Sequence, residues 1–221
     1  MNPAMDAKEF SRRLSALAQD IIDAHVHYKL WRELQKQQKD NPAIMAQSPA
    51  FWRLTMRAHL NSCLYHLSRV YVAERFSMSI GMLLAAIKED EKQFGRKGGV
   101  AGAGPLVECL VKGSKPLDGA LLNEDMKLCA VSDVLVRKLI ATRAKGFSKI
   151  GTKVGVSPKR DEEALLLGFR DIDMLLGRAL TVFRHYSSQF EVTSQSGKVI
   201  ANDDYKNLFR SVADAMGVGI A

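Results

Sequence analysis

Apolar residues recur along the chain at steps of three and four, the spacing that lines one face of an α-helix. Between Asp6 and Gln38 this stripe is Phe10, Leu14, Leu17, Ile21, Ala24, Tyr28 and Trp31, with Arg12, Arg13, Asp20, Lys29 and Arg32 largely off it. The run KQQKDNPAIMAQSP breaks the pattern, and Ser48-Pro49 supplies an N-cap residue followed by proline at the first helical position. The spacing then predicts a helix to about Glu74, with Trp52, Met56, Leu60, Cys63, Leu67 and Val70 inward. A shorter helix from Ser79 to Phe94 turns Met82, Leu83, Ala86 and Ile87 inward. Another opens at Asn123 or Asp125 and ends near Gly146, with Leu128, Val131, Leu135, Leu139 and Thr142 on one side. The cleanest stripe runs from Pro158 to Phe190 through Leu165, Phe169, Ile172, Leu176, Ala179, Phe183, Tyr186 and Phe190. After a break at Gln195-Ser196-Gly197, a terminal helix from Asp203 to Met216 presents Tyr205, Leu208, Val212 and Met216.

No segment alternates with the period of two that marks a half-buried strand. The pattern predicts an all-α antiparallel helical bundle with shorter accessory helices, residues 1–195 forming the bundle and 196–221 a C-terminal helical extension. Two segments punctuate it. Gly95 to Pro105 is too rich in glycine to hold a helix, and it lacks the Gly-Lys-Ser/Thr ending and preceding strand of a phosphate loop. The second, SKIGTKVGVSPKRD, is basic and glycine-containing.

Composition sharpens this picture. Apolar residues make up 47% of 221, enough for a core that needs neither disulfides nor metal. The three cysteines, Cys63, Cys109 and Cys129, are odd in number and widely spaced, which argues against a disulfide framework or a zinc site. The N-terminus has no apolar signal core and no stretch is long enough to span a bilayer, so the expectation is a cytoplasmic protein that does not enter a membrane. The net charge of +8 draws phosphates, with nucleic acid as the natural partner and an anionic membrane surface as its competitor.

Candidate chemistry is sparse. His25 and His27 are two apart on a helix and point in different directions; His59 and His66 share a face but are seven apart, too far for a direct helical metal pair. No metal or other cofactor is expected. Glu162 and Glu163 open the last long helix, where carboxylates suit the helix dipole. The basic loop carries Lys145, Lys149, Lys153, Lys159 and Arg160, preceded by Arg143 at a helix end. A cationic loop of this kind can follow a phosphate backbone, although only Phe147 is there to stack on bases.

The order of features resembles the HEPN superfamily (higher eukaryotes and prokaryotes nucleotide-binding domains), most closely its abortive-infection U-type branch. PAFWRLTMRAHLNSCLYHLSRVY, FSMSIGMLL, VRKLIATRAKGFSKIGTK and RDIDMLLGRALTVFRHYSSQF carry the resemblance, which covers roughly Asp6 to Phe190. It implies an antiparallel helical bundle that dimerises, and a bacterial defence or toxin-type protein that acts on RNA by metal-independent cleavage or by binding. A neutralising partner protein belongs to that expectation, with a non-catalytic dimerisation or partner-binding module as the alternative.

The family signature is an arginine followed after four to six residues by a histidine: the first holds the scissile phosphate and the second moves a proton near neutral pH. Arg143 stands where the family arginine falls, but Lys149 follows it in place of histidine. Two other segments fit the spacing: Arg53 with His59, which borders the core face, and Arg178 with His185, beside the last stripe. The resemblance therefore makes Arg178, His185 and Arg143 the catalytic candidates, with Arg143, Lys145, Lys149, Lys153 and Arg160 as the nucleic-acid-binding set.

Overall fold

A computed structural model describes residues 7–73, 77–97, 119–144, 166–186 and 204–219. Among these residues the chain forms eight helices: α1 (Ala7–Asp40), α2 (Pro42–Ala46), α3 (Pro49–Tyr71), α4 (Ile80–Lys97), α5 (Gly119–Leu128), α6 (Val134–Ala144), α7 (Phe169–Tyr186) and α8 (Asp204–Met216), and no strand. The all-α reading of the sequence holds.

The stripe of α1 is the spine of the molecule: Phe10, Leu14, Leu17, Ile21, Ala24, Tyr28 and Trp31 are all buried. They meet Leu60, Cys63, Leu64, Leu67 and Val70 of α3 and Ile172, Leu176, Ala179 and Phe183 of α7 in one core. Contacts between residues 27 and 59 and between residues 20 and 66 run in opposite senses, so α1 and α3 are antiparallel. α7 lies against both: Tyr28 donates a hydrogen bond to the Phe169 carbonyl (3.1 Å), and the buried Tyr71 hydroxyl donates to that of Leu175 (2.8 Å).

Helix boundaries differ from the sequence pattern at several points. The stretch expected as one helix from Asn123 to Gly146 is two, broken at residues 129–133. Asp133 explains the break, because its Oδ1 accepts from the backbone N–H groups of Leu135 (2.9 Å) and Val136 (3.2 Å) and caps a new helix. Val131, placed on the apolar stripe by its spacing, lies in the bend and is 63% exposed. The last long helix begins at Phe169, not at Pro158. Gly168 occupies its N-cap, and Asp171 reaches back to accept the Gly168 N–H at 3.0 Å, one arm of a capping box. α4 runs on through Gly95 to Lys97, into the stretch read as loop.

The C-terminal helix packs Tyr205, Val212 and Met216 partly buried, as expected, and leaves Leu208 exposed; Phe209 and Ala213 are its buried residues. With Leu34, Ile44, Met45 and Trp52 they form a second, smaller core, in which Phe209 meets Trp52 at a ring distance of 4.9 Å. The larger aromatic ring determines the phase. Gly217 closes the helix at φ 65°, with the Val218 N–H bonded to the Ala213 carbonyl (3.0 Å), the six-to-one bond of a glycine-terminated helix.

Candidate functional site

On the outer edge of the α1–α3 seam, polar residues replace the core stripe. α1 contributes Asp20 and His27, seven apart, and α3 contributes His59 and His66, also seven apart; two turns of helix return each pair to the same face. The antiparallel packing brings the four together. His27 Nδ1 lies 2.9 Å from His59 Nδ1, and the His27 ring stacks on His66 with centroids 6.0 Å apart. His66 Nδ1 donates to Asp20 Oδ1 at 2.9 Å, while Arg69 Nε donates to Asp20 Oδ2 at 3.0 Å. Arg69 also donates to the Tyr65 hydroxyl at 3.2 Å. Asp20 is buried, and His66 and Arg69 keep part of their side chains open to solvent.

An imidazole–imidazole contact through two Nδ1 atoms needs one donor and one acceptor. One ring of the His27–His59 pair therefore carries its proton on Nδ1 and leaves a lone pair on Nε2; the other carries its proton on Nε2. Burial pushes both pKa values down, and at His27 the proximity of His59 and His66 adds to it. The pair is neutral at pH 7, the state in which an imidazole accepts a proton. Exposed Arg53 and Arg57 lie on the same helix.

The second pairing noted in the sequence, Arg178 and His185, sits on α7 and faces the α5–α6 connection. Arg178 Nη1 donates to the Leu128 carbonyl (2.6 Å) and to Asp133 Oδ1 (2.9 Å), with 14% of its side chain exposed. Burial pushes the Asp133 carboxyl up, but the hydrogen bonds from Arg178 and from the Val136 and Leu135 backbone outweigh it and hold the pKa below the usual range. His185 Nδ1 donates to Asp125 Oδ2 (3.0 Å), an oxygen that also accepts the Tyr186 hydroxyl (2.8 Å). Arg178 thus fastens α7 to the bend between α5 and α6, and His185, two turns further on, fastens it to α5 itself. His185 keeps 33% of its side chain exposed.

Arg143 is exposed in the last turn of α6. Lys145, Lys149, Lys153, Lys159 and Arg160 lie outside the described residues, as does Cys109. Cys63 and Cys129 are buried, and burial pushes each thiol up to about 12, which makes them poor nucleophiles. Among the described residues no group of histidine, cysteine or carboxylate side chains is arranged to hold a metal ion, and no helix is long and apolar enough to cross a membrane.

The α1–α3 cluster is not apparent in the sequence pattern because its members lie on two helices far apart in the chain. The signal was present in the two seven-residue spacings, Asp20 to His27 and His59 to His66, which coincide once the helices pair antiparallel.

An all-α helical bundle is the architecture expected of a HEPN domain. The AbiU2 HEPN family model matches residues 7–129, more than half of the 221. The chain belongs to this abortive-infection family. No curated protein and no solved structure matches it. The matched segment contains α1 to α5, and with them the whole histidine cluster; Arg53 and His59 fall inside it, and Arg178 and His185 outside it.

Proposed function

We propose that this abortive-infection HEPN protein cleaves RNA without a metal ion, at the α1–α3 histidine cluster. The observation that carries the reading is the 2.9 Å contact between His27 and His59 on a part-exposed seam that also holds His66 and Arg69. RNA carries its own nucleophile, the ribose 2′-hydroxyl, so a protein needs only to move protons and stabilise a phosphate with extra negative charge. A neutral imidazole supplies the base and an arginine the charge, and the +8 balance of the chain favours a polyanionic substrate. The family spacing of Arg53 and His59 supports the same location. Arg178 is engaged by a carbonyl and a carboxylate, and it serves here to hold the α5–α6 bend.

The test is incubation of the purified full chain with total RNA in EDTA, beside His59→Ala, His185→Ala and Arg143→Ala. Fragments ending in a 2′,3′-cyclic phosphate, lost with His59→Ala alone, are the expected result; no cleavage by folded wild type rejects the reading.

A second reading, a self-associating module without turnover, is favoured by Phe51 and Leu54 on α3, which are 53% and 61% exposed. It predicts a dimer in light scattering that Leu54→Glu dissociates.

A further inference from the structure

Among the described residues, Asp20 is the carboxylate hydrogen-bonded to the histidine cluster, and it holds two members at once. Its Oδ1 receives His66 Nδ1 at 2.9 Å and its Oδ2 receives Arg69 Nε at 3.0 Å. His66 and Arg69 are three apart on α3 and share a face. One buried carboxylate on α1 therefore fixes an imidazole and a guanidinium side by side. With Nδ1 committed to Asp20, any proton that His66 exchanges with a substrate passes through Nε2. The carboxylate also compensates the charge of a proton-loaded ring, as in other aspartate–histidine pairs. Arg69 retains donors beyond those that reach Asp20 and Tyr65, in a planar fork suited to phosphate oxygens.

From this arrangement we infer that His66 is the general acid of the cleavage, that Arg69 clamps the scissile phosphate, and that Asp20 is the positioning residue for both. The inference rests on the proposed ribonuclease activity and assigns roles within it. In the step, the His27–His59 pair takes the proton of the 2′-hydroxyl as its oxygen attacks phosphorus. The bond from phosphorus to the 5′-oxygen breaks, and that oxygen receives the proton from His66 Nε2. The products are a 2′,3′-cyclic phosphate and a 5′-hydroxyl. One proton has moved from the acid and one to the base, with no oxidant or metal required.

The attacking and leaving oxygens lie on opposite sides of phosphorus, so base and acid must stand apart. Base and acid are accordingly different groups: His27 and His59 bond to each other, and His66, its ring centroid 6.0 Å from that of His27, bonds to Asp20.

A leaving group that needs no proton isolates the acid. The full chain is assayed on a short RNA with one cleavable linkage, and on the same RNA with sulfur in place of the bridging 5′-oxygen, since a thiolate departs unprotonated. His66→Asn preserves a donor to Asp20 and is expected to slow the oxygen substrate by roughly 100-fold, within the range for a lost acid or base, and the sulfur substrate by no more than about threefold. His66→Gln, a second variant of different length, is expected to show the same selectivity. Asp20→Asn is expected to repeat it at about one tenth the size, and Arg69→Lys to lower kcat on both substrates. Equal losses on the two substrates for His66→Asn and His66→Gln, in proteins with wild-type circular dichroism, overturn the assignment, as does no loss on either. Absence of wild-type turnover on both substrates is a separate result: it rejects the ribonuclease reading itself.

Discussion

Two regions of this protein place histidine, arginine and aspartate within hydrogen-bonding distance, and they arrange the same three side-chain types differently. At the α7 anchor, each side chain has its own carboxylate: Arg178 pairs with Asp133 in the α5–α6 bend, and His185 with Asp125 of α5. At the α1–α3 seam a single carboxylate, Asp20, serves both His66 and Arg69, while His27 and His59 bond to each other. The first arrangement matches each side chain with its own acceptor and ties distant segments together. The second leaves imidazole nitrogens and guanidinium donors uncommitted at a part-open surface. The two regions differ in the partners that take up the hydrogen bonds of their arginines and histidines.

Stability measurements sharpen the contrast. Arg178→Met leaves the Asp133 carboxylate and the Leu128 carbonyl without the guanidinium; it is expected to destabilise by about 3 kcal/mol, the low end for breaking a largely buried pair. For a chain of this size that lowers Tm by roughly 6–12 °C. Asp125→Ala removes the acceptor of both His185 and the buried Tyr186 hydroxyl, and about 2 kcal/mol is expected from urea unfolding. Asp20→Ala is expected to cost less, about 1 kcal/mol, because its partners are part-exposed and can turn to water. A larger loss at Asp20 than at Arg178 breaks the distinction between a structural anchor and an open cluster.

The smallest expected effect is a pH dependence. Burial lowers the pKa values of His25, His27 and His59 in the folded protein below the ordinary 6.5. The unfolded chain then binds more protons than the folded one below pH 6.5, so stability is complete above that value and declines as pH falls through it. Thermal melts between pH 7.5 and pH 5 are expected to show this decline, and the double variant His27→Gln, His59→Gln to flatten it. An unchanged slope in the double variant contradicts the neutral pair.

Much of the bundle was legible in the sequence because helix-forming stripes are local. Every residue of the α1 stripe from Phe10 to Trp31 is buried, and so are Ile172, Leu176, Ala179, Phe183 and Tyr186 of α7. What the pattern hid depended on competition or on partners far along the chain. Asp133 caps a helix in the middle of an apolar run, and Gly168 with Asp171 starts α7 after eleven residues of apparently continuous pattern. Phe209 displaced Leu208 as the inward residue of α8 because Trp52, far away in sequence, offers it a ring. The histidine cluster joins residues 20 and 27 to residues 59, 66 and 69, and no reading of one helix alone displays it.

The central claim is that the α1–α3 seam, and not the α7 anchor, carries the chemistry. It is tested most directly by cleavage of total RNA in EDTA with the wild type, His59→Ala and His185→Ala at equal folded concentration. Metal-independent cleavage is expected to drop by roughly 100-fold in His59→Ala and to stay within about threefold in His185→Ala. Loss of cleavage in His185→Ala with activity retained in His59→Ala contradicts it and moves the site to α7.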